Sequence, residues 1–205
     1  MAVIADDAGW AAPVRDGGRD VFLSAEGRQV ELSYTTPSRL ERRMREEAAE
    51  GRRARMDWAE GGVVLEGRGT ALEVLQATAL ALLADGPPPL TPDERSWEVF
   101  DAWNSLKDAV DSETDETLTA LLGMRGFEQL LRLFLRLSQT WEPRPRMLLS
   151  AINDATPSFA QLARGYLEAP DAGGRISSLQ RMASWLEREF DITFAAPYRS
   201  RPPER

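Results

Sequence analysis

The chain has 205 residues, 42% of them hydrophobic, with no cysteine, no histidine and a formal net charge of −8. That length holds one or two domains with a real core. The absent residue types exclude disulfides, thiolate nucleophiles, Cys or His metal sites and any catalytic arrangement built on an imidazole base. Of the 25 basic residues only Lys107 is a lysine, so Schiff-base or Walker-type phosphate chemistry would rest on one amine with no glycine-rich loop before it.

Residues 1–18 are rich in Ala, Gly and Asp without periodicity and read as a loosely ordered lead-in. They carry no positive leader of the kind a secretory signal needs. Two apolar runs, Val21-Phe22-Leu23 and Val30-Glu31-Leu32-Ser33-Tyr34, flank the turn-like Ala25-Glu26-Gly27-Arg28 and predict a hairpin. Thr36-Pro37-Ser38 then opens a helix to about Glu50, with Ser38 and Glu41 at capping-box spacing. Beyond Gly51, Ala54, Met56 and Trp58 alternate with Arg53, Arg55 and Asp57, which predicts a second strand returning over 63–66 after a turn at 59–62. A helix over 71–84, capped by Thr70 and Glu73, completes a ββαββα order across 19–86.

Residues 87–91 form a proline-rich linker, because consecutive prolines cannot continue a helix. A helical unit over 92–195 follows. Thr91-Pro92-Asp93-Glu94 starts its first helix, which runs to about Val110. A short helix over 115–122 and a longer one over 127–139 are expected next, then helices over 146–153 and from Thr156-Pro157 to Glu168. After a turn at Gly173-Gly174, the last helix places Ile176, Leu179, Ala183, Leu186 and Phe190 on one apolar seam. A short strand is expected over 191–195 and a tail over 196–205. The fold class expected is therefore α+β, a ββαββα-like unit followed by a helical bundle. No apolar stretch reaches the length that crosses a bilayer, so a soluble cytoplasmic protein is expected.

Arg39, Arg42, Arg43, Arg45, Arg52, Arg53 and Arg55 suggest a phosphate-contacting surface. At 100° per residue, however, they scatter among Glu41, Glu46, Glu47 and Glu50. The opposite-charge pairs Glu41–Arg45, Arg42–Glu46 and Arg43–Glu47 fit a solvated helix instead. Gly67-Arg68-Gly69-Thr70 sits where a strand would feed a helix, but it lacks the third glycine and the second strand of a dinucleotide fold. Between 85 and 120, ten acids face only Arg95 and Lys107, a segregated negative surface. Glu46-Glu47-Ala48-Ala49-Glu50 is similar to the first carboxylate cluster of the all-helical MazG-like nucleotide pyrophosphohydrolases. The downstream Glu-x-x-Asp of that family is missing at suitable spacing, so the resemblance assigns no activity.

No nucleophile has an adjacent base, so no catalytic, metal or cofactor residue is assigned and no cofactor is expected. The expected function is a non-enzymatic protein–protein interaction module, an adaptor, regulator or inhibitor with an acidic surface that suits a basic partner. Trp58 and Trp103 are expected in the core. Trp97, Trp141 and Trp185, at the edges of their stripes, are expected to meet the partner, and Ile176, Leu179 and Leu186 to support self-association. Two alternatives stand beside this: nucleic-acid binding through Arg53, Arg55, Arg68, Arg199 and Arg201, and a metal-dependent hydrolase that works with carboxylates alone.

Overall fold

The computed structural model describes residues 2–4, 19–63 and 70–194. The expected α+β class does not hold, because the protein is all-α, with eight helices among the described residues carrying the fold. Its extended segments are three short strands, β1 (Ala2–Ile4), β2 (Arg19–Leu23) and β3 (Gln29–Thr35). β2 runs antiparallel to β3 with Phe22 opposite Val30, and β1 lies parallel to β3 with Val3 opposite Tyr34. Among the described residues no helix packs broadly across this ribbon. β1 falls in the segment expected as lead-in.

The chain divides into two compact units, Met1–Gly86 and Pro87–Arg205. In the first, α1 (Pro37–Ala49), α2 (Ala54–Glu60) and α3 (Thr70–Asp85) bury Leu40, Met44, Met56, Ala59, Leu75 and Ala79 against one another. The cap of α1 is Thr36, two residues before the expected Ser38: its hydroxyl accepts from Arg39 N at 3.3 Å, and Pro37 takes the first helical position. The far end closes as a Schellman turn. Gly51 adopts φ 75°, where a Cβ would be strained, while Arg52 N donates to Glu47 O at 2.8 Å and Gly51 N to Ala48 O at 3.0 Å.

The second hairpin is a helix instead. Six alternating residues are too few to separate a period of 2 from one of 3.6. The residues that decide are Met56 and Ala59, three apart and both buried, and the i, i+4 ion pair of Arg53 with Asp57 at 2.7 Å. Ala, Arg, Met and Glu also favour helix over strand. Within the returning strand, Val63 is exposed and has no strand partner, and 64–66 lie outside the described residues.

The second unit contains α4 (Pro92–Asp111), α5 (Glu116–Leu137), α6 (Leu148–Ala155), α7 (Pro157–Leu167) and α8 (Ala172–Phe190). A capping box starts α4: Glu94 N donates to Thr91 Oγ1 at 3.3 Å and Thr91 N to the Glu94 carboxylate at 2.8 Å. The two helices expected over 115–122 and 127–139 are one. α5 continues through Gly123 and Gly126 because both are contact positions. A methyl at Gly126 would lie 3.3 Å from the Ser105 carbonyl of α4, and one at Gly123 would lie 3.0 Å from the Tyr166 hydroxyl of α7. Glycine's cost in a helix is offset by close approach of the neighbouring elements.

The centre of this unit is aromatic. Phe134 stacks on Phe159 with centroids 4.6 Å apart, Trp185 sits 4.9 Å from Phe159, and Phe190 meets Trp185 edge-on at 6.1 Å. Around them Leu130, Leu131, Leu179, Met182 and Leu186 are fully buried. Asp171 caps α8 by accepting from Gly174 N at 2.7 Å, so the expected Gly173-Gly174 turn is the helix's first turn. The Arg95 guanidinium, one turn into α4, donates to the Phe190 carbonyl at the end of α8. Asp191 takes a left-handed conformation there, φ 49°, and 191–194 form no strand. Among the described residues no helix is long and apolar enough to cross a membrane.

Candidate functional site

α7 and α8 pack against each other and leave an open groove of about 440 Å3 along one side. α7 contributes Ser158 in its first turn and Leu162 one turn later; α8 contributes Ser177, Gln180, Arg181, Ser184, Trp185 and Arg188. The α8 stripe follows from sequence: Ser177, Arg181, Ser184 and Arg188 are spaced 4, 3, 4, which puts them on one helical face. Its opposite face is the apolar seam that anchors the helix. The groove thus alternates hydroxyl and guanidinium along a rigid element, and among the described residues no carboxylate lines it.

Arg181 is held in place by donating from Nη2 to the buried Ser178 Oγ at 2.9 Å. Thr156, the N-cap of α7, makes no side-chain cap bond, so the first backbone N–H groups of that helix, beside Ser158, have no cap from it. The apolar part of the groove is Leu162 and Trp185. Trp185 is half-buried, its ring committed to Phe159, Phe134 and Phe190. Chemically, the arrangement can hold anionic oxygen through two guanidiniums and several hydroxyl donors, with a small apolar contact between them. Its three serines have no base beside them, since the chain lacks histidine and Lys107 is ion-paired with Asp111 on α4.

The residues expected to act together are dispersed. Ile176, Leu179 and Leu186 are buried inside the second unit, 4%, 0% and 0% exposed, so the seam faces α5 and α7 and offers nothing to a second copy. Trp97 is 48% exposed on α4, and Trp141 is half-buried. Trp103 packs at the edge of the core, whereas Trp58, expected inside, is 46% exposed.

Arg53 pairs with Asp57, and Arg55 donates both its backbone N (2.9 Å) and its guanidinium to the buried Glu47 carboxylate. Glu47 therefore caps α2 from α1, which takes it out of the expected pair with Arg43; Arg43 instead meets Glu46 at 3.4 Å. The MazG-like cluster is consumed this way, with Glu46 on Arg42 and Arg43 and Glu50 on Arg52. Arg68, Arg199 and Arg201 lie outside the described residues.

Several acids of the 85–120 segment also serve local structure. Glu94 completes the α4 cap, and the hydrogen bonds from Thr91 hold its carboxyl below the ordinary value. Asp115 caps α5 and Asp111 pairs with Lys107. Glu98, facing α5, is pushed up by burial, an effect that Arg136 partly offsets. Among the described residues no cluster of three or more carboxylates is placed to hold a metal ion.

Sequence reasoning missed Arg181 and Arg188. Their signal was present as a polar stripe on the same helix whose apolar seam drew attention. The sequence matches no family model and no curated protein, and no solved structure matches the fold.

Proposed function

We propose that this chain is a protein-interaction module that engages its partner at the α7–α8 groove without transforming it. One observation carries the reading: in a chain of net charge −8, Arg181 and Arg188 share one helical face in a concave surface that no acid lines among the described residues. An acidic protein that keeps such a stripe has a locally complementary site for an opposite charge, and charge complementarity of this kind steers and orients a partner. Trp185 and Leu162 add the apolar contact that an interaction surface needs beside its charges.

The expected basic partner for the 85–120 surface has weaker support, because Glu94, Asp111 and Asp115 are already engaged at helix ends or in a pair. Photo-crosslinking in the native host, with the crosslinker at Ser177, tests the reading. A discrete adduct that vanishes in Arg181→Glu/Arg188→Glu is expected. Adducts that persist in that variant, or that form equally from a crosslinker at Arg43 on α1, overturn it.

A further inference from the structure

Resting on that reading of the groove, we infer its ligand: an extended, acidic protein segment in which two carboxylates flank an apolar side chain. Arg181 and Arg188 are seven positions apart, about 10 Å along the helix axis. Trp185 lies between them on the same side, one turn from each. The recognition order along α8 is therefore guanidinium, indole, guanidinium, with Leu162 supplying the facing apolar wall.

In a polyproline-type strand, residues three apart return to the same side after about 9 Å. Two acids at that spacing reach both guanidiniums, and a residue between them, turned by about a third of a turn, leans on the apolar flank that Leu162 and the edge of Trp185 form. Ser177 and Ser184 then supply hydroxyl donors to the same oxygens or to the segment's backbone carbonyls. An open groove suits an extended chain better than a compact small molecule, which needs enclosure to bury most of its surface.

Single-stranded nucleic acid is the competing polyanion, and two observations weigh against it. Strand binding without sequence preference uses successive aromatic platforms, and this groove has a single indole among its lining residues. It also relies on a broad positive field, whereas the chain carries a net −8.

The test uses the full chain and fluorescence anisotropy with a labelled twelve-residue probe peptide, rich in proline, carrying two Glu three residues apart around a Leu. Saturable binding is expected. It should weaken at least ~10-fold when both Glu are replaced by Gln and in Arg181→Ala/Arg188→Ala, which corresponds to about 1.4 kcal/mol. Arg125→Ala on α5 should leave it unchanged, and raised salt should weaken it. If the Gln peptide binds equally well, or a dT12 oligonucleotide binds more tightly with the same dependence on Arg181 and Arg188, the ligand assignment fails while the groove stands as the site. If the Glu peptide binds but the double variant binds it as well as the native chain, the groove itself is wrong. No binding of either probe at millimolar concentration overturns both.

Discussion

The two units spend their apolar residues differently. In the second unit the large aromatics interlock: Phe134 and Phe159 are fully buried and Trp185 and Phe190 pack on them. In the first, α3 is apolar at 11 of its 16 positions, yet only Leu75 and Ala79 are buried, while Val74 and Leu80 are 56% and 52% exposed and Trp58 on α2 is 46% exposed. A short three-helix cluster lacks the volume to cover apolar residues spread over more than one face of a helix. The lesson is that a unit with a closed core can devote its surface to polar recognition, as α8 does. A unit with a thin core leans on buried polar contacts such as Glu47 with Arg55.

The largest expected effect breaks the closed core. Phe134→Ala removes the ring that touches Phe159, Trp185 and Phe190 and should cost about 3–5 kcal/mol by urea denaturation. A loss below about 1 kcal/mol would mean that the aromatic cluster is not the centre of the second unit.

Next comes the polar support of the thin core. Glu47→Gln leaves the partly buried Arg55 guanidinium without a counter-charge and weakens the cap of α2; a cost of about 2 kcal/mol is expected from the same measurement. Thr91→Ala, which dismantles the capping box of α4, should cost about 1 kcal/mol and lower the melting temperature without changing the fold seen by circular dichroism.

The smallest effect is one of pH. Burial raises the Glu98 pKa above that of the unfolded chain, so the folded protein holds that proton more tightly. Glu98 therefore favours folding below the ordinary carboxylate range, and that contribution is lost as pH rises through the raised value. Urea midpoints of the native chain relative to Glu98→Gln should fall as pH rises above the ordinary Glu value of about 4.3; a relative rise there would contradict the burial of Glu98.

Helix ends were the most legible part of the sequence. Thr91-Pro92-Asp93-Glu94 specifies its cap locally, within four residues, and the structure uses all of it. Regions decided by tertiary contact were not legible. Continuity of α5 through Gly123 and Gly126 depends on what Ser105 and Tyr166 place beside them, and no local rule supplies that. The segment 53–58 carried both periods at once, and the burial of Met56 and Ala59 decided between them. As for the groove, its charged stripe could be read from spacing, but its concavity could not, because it arises only where α7 lies alongside α8.

The bond from Arg95 to the Phe190 carbonyl brings the first turn of α4 and the end of α8 within one side chain's reach. Such a unit behaves as a cassette. The start of α4 can be joined to the chain just past Phe194 by a few linking residues and new ends opened at the α5–α6 connection, and a circular permutant made in this way, which keeps Phe194 in the core, should retain the native helical spectrum.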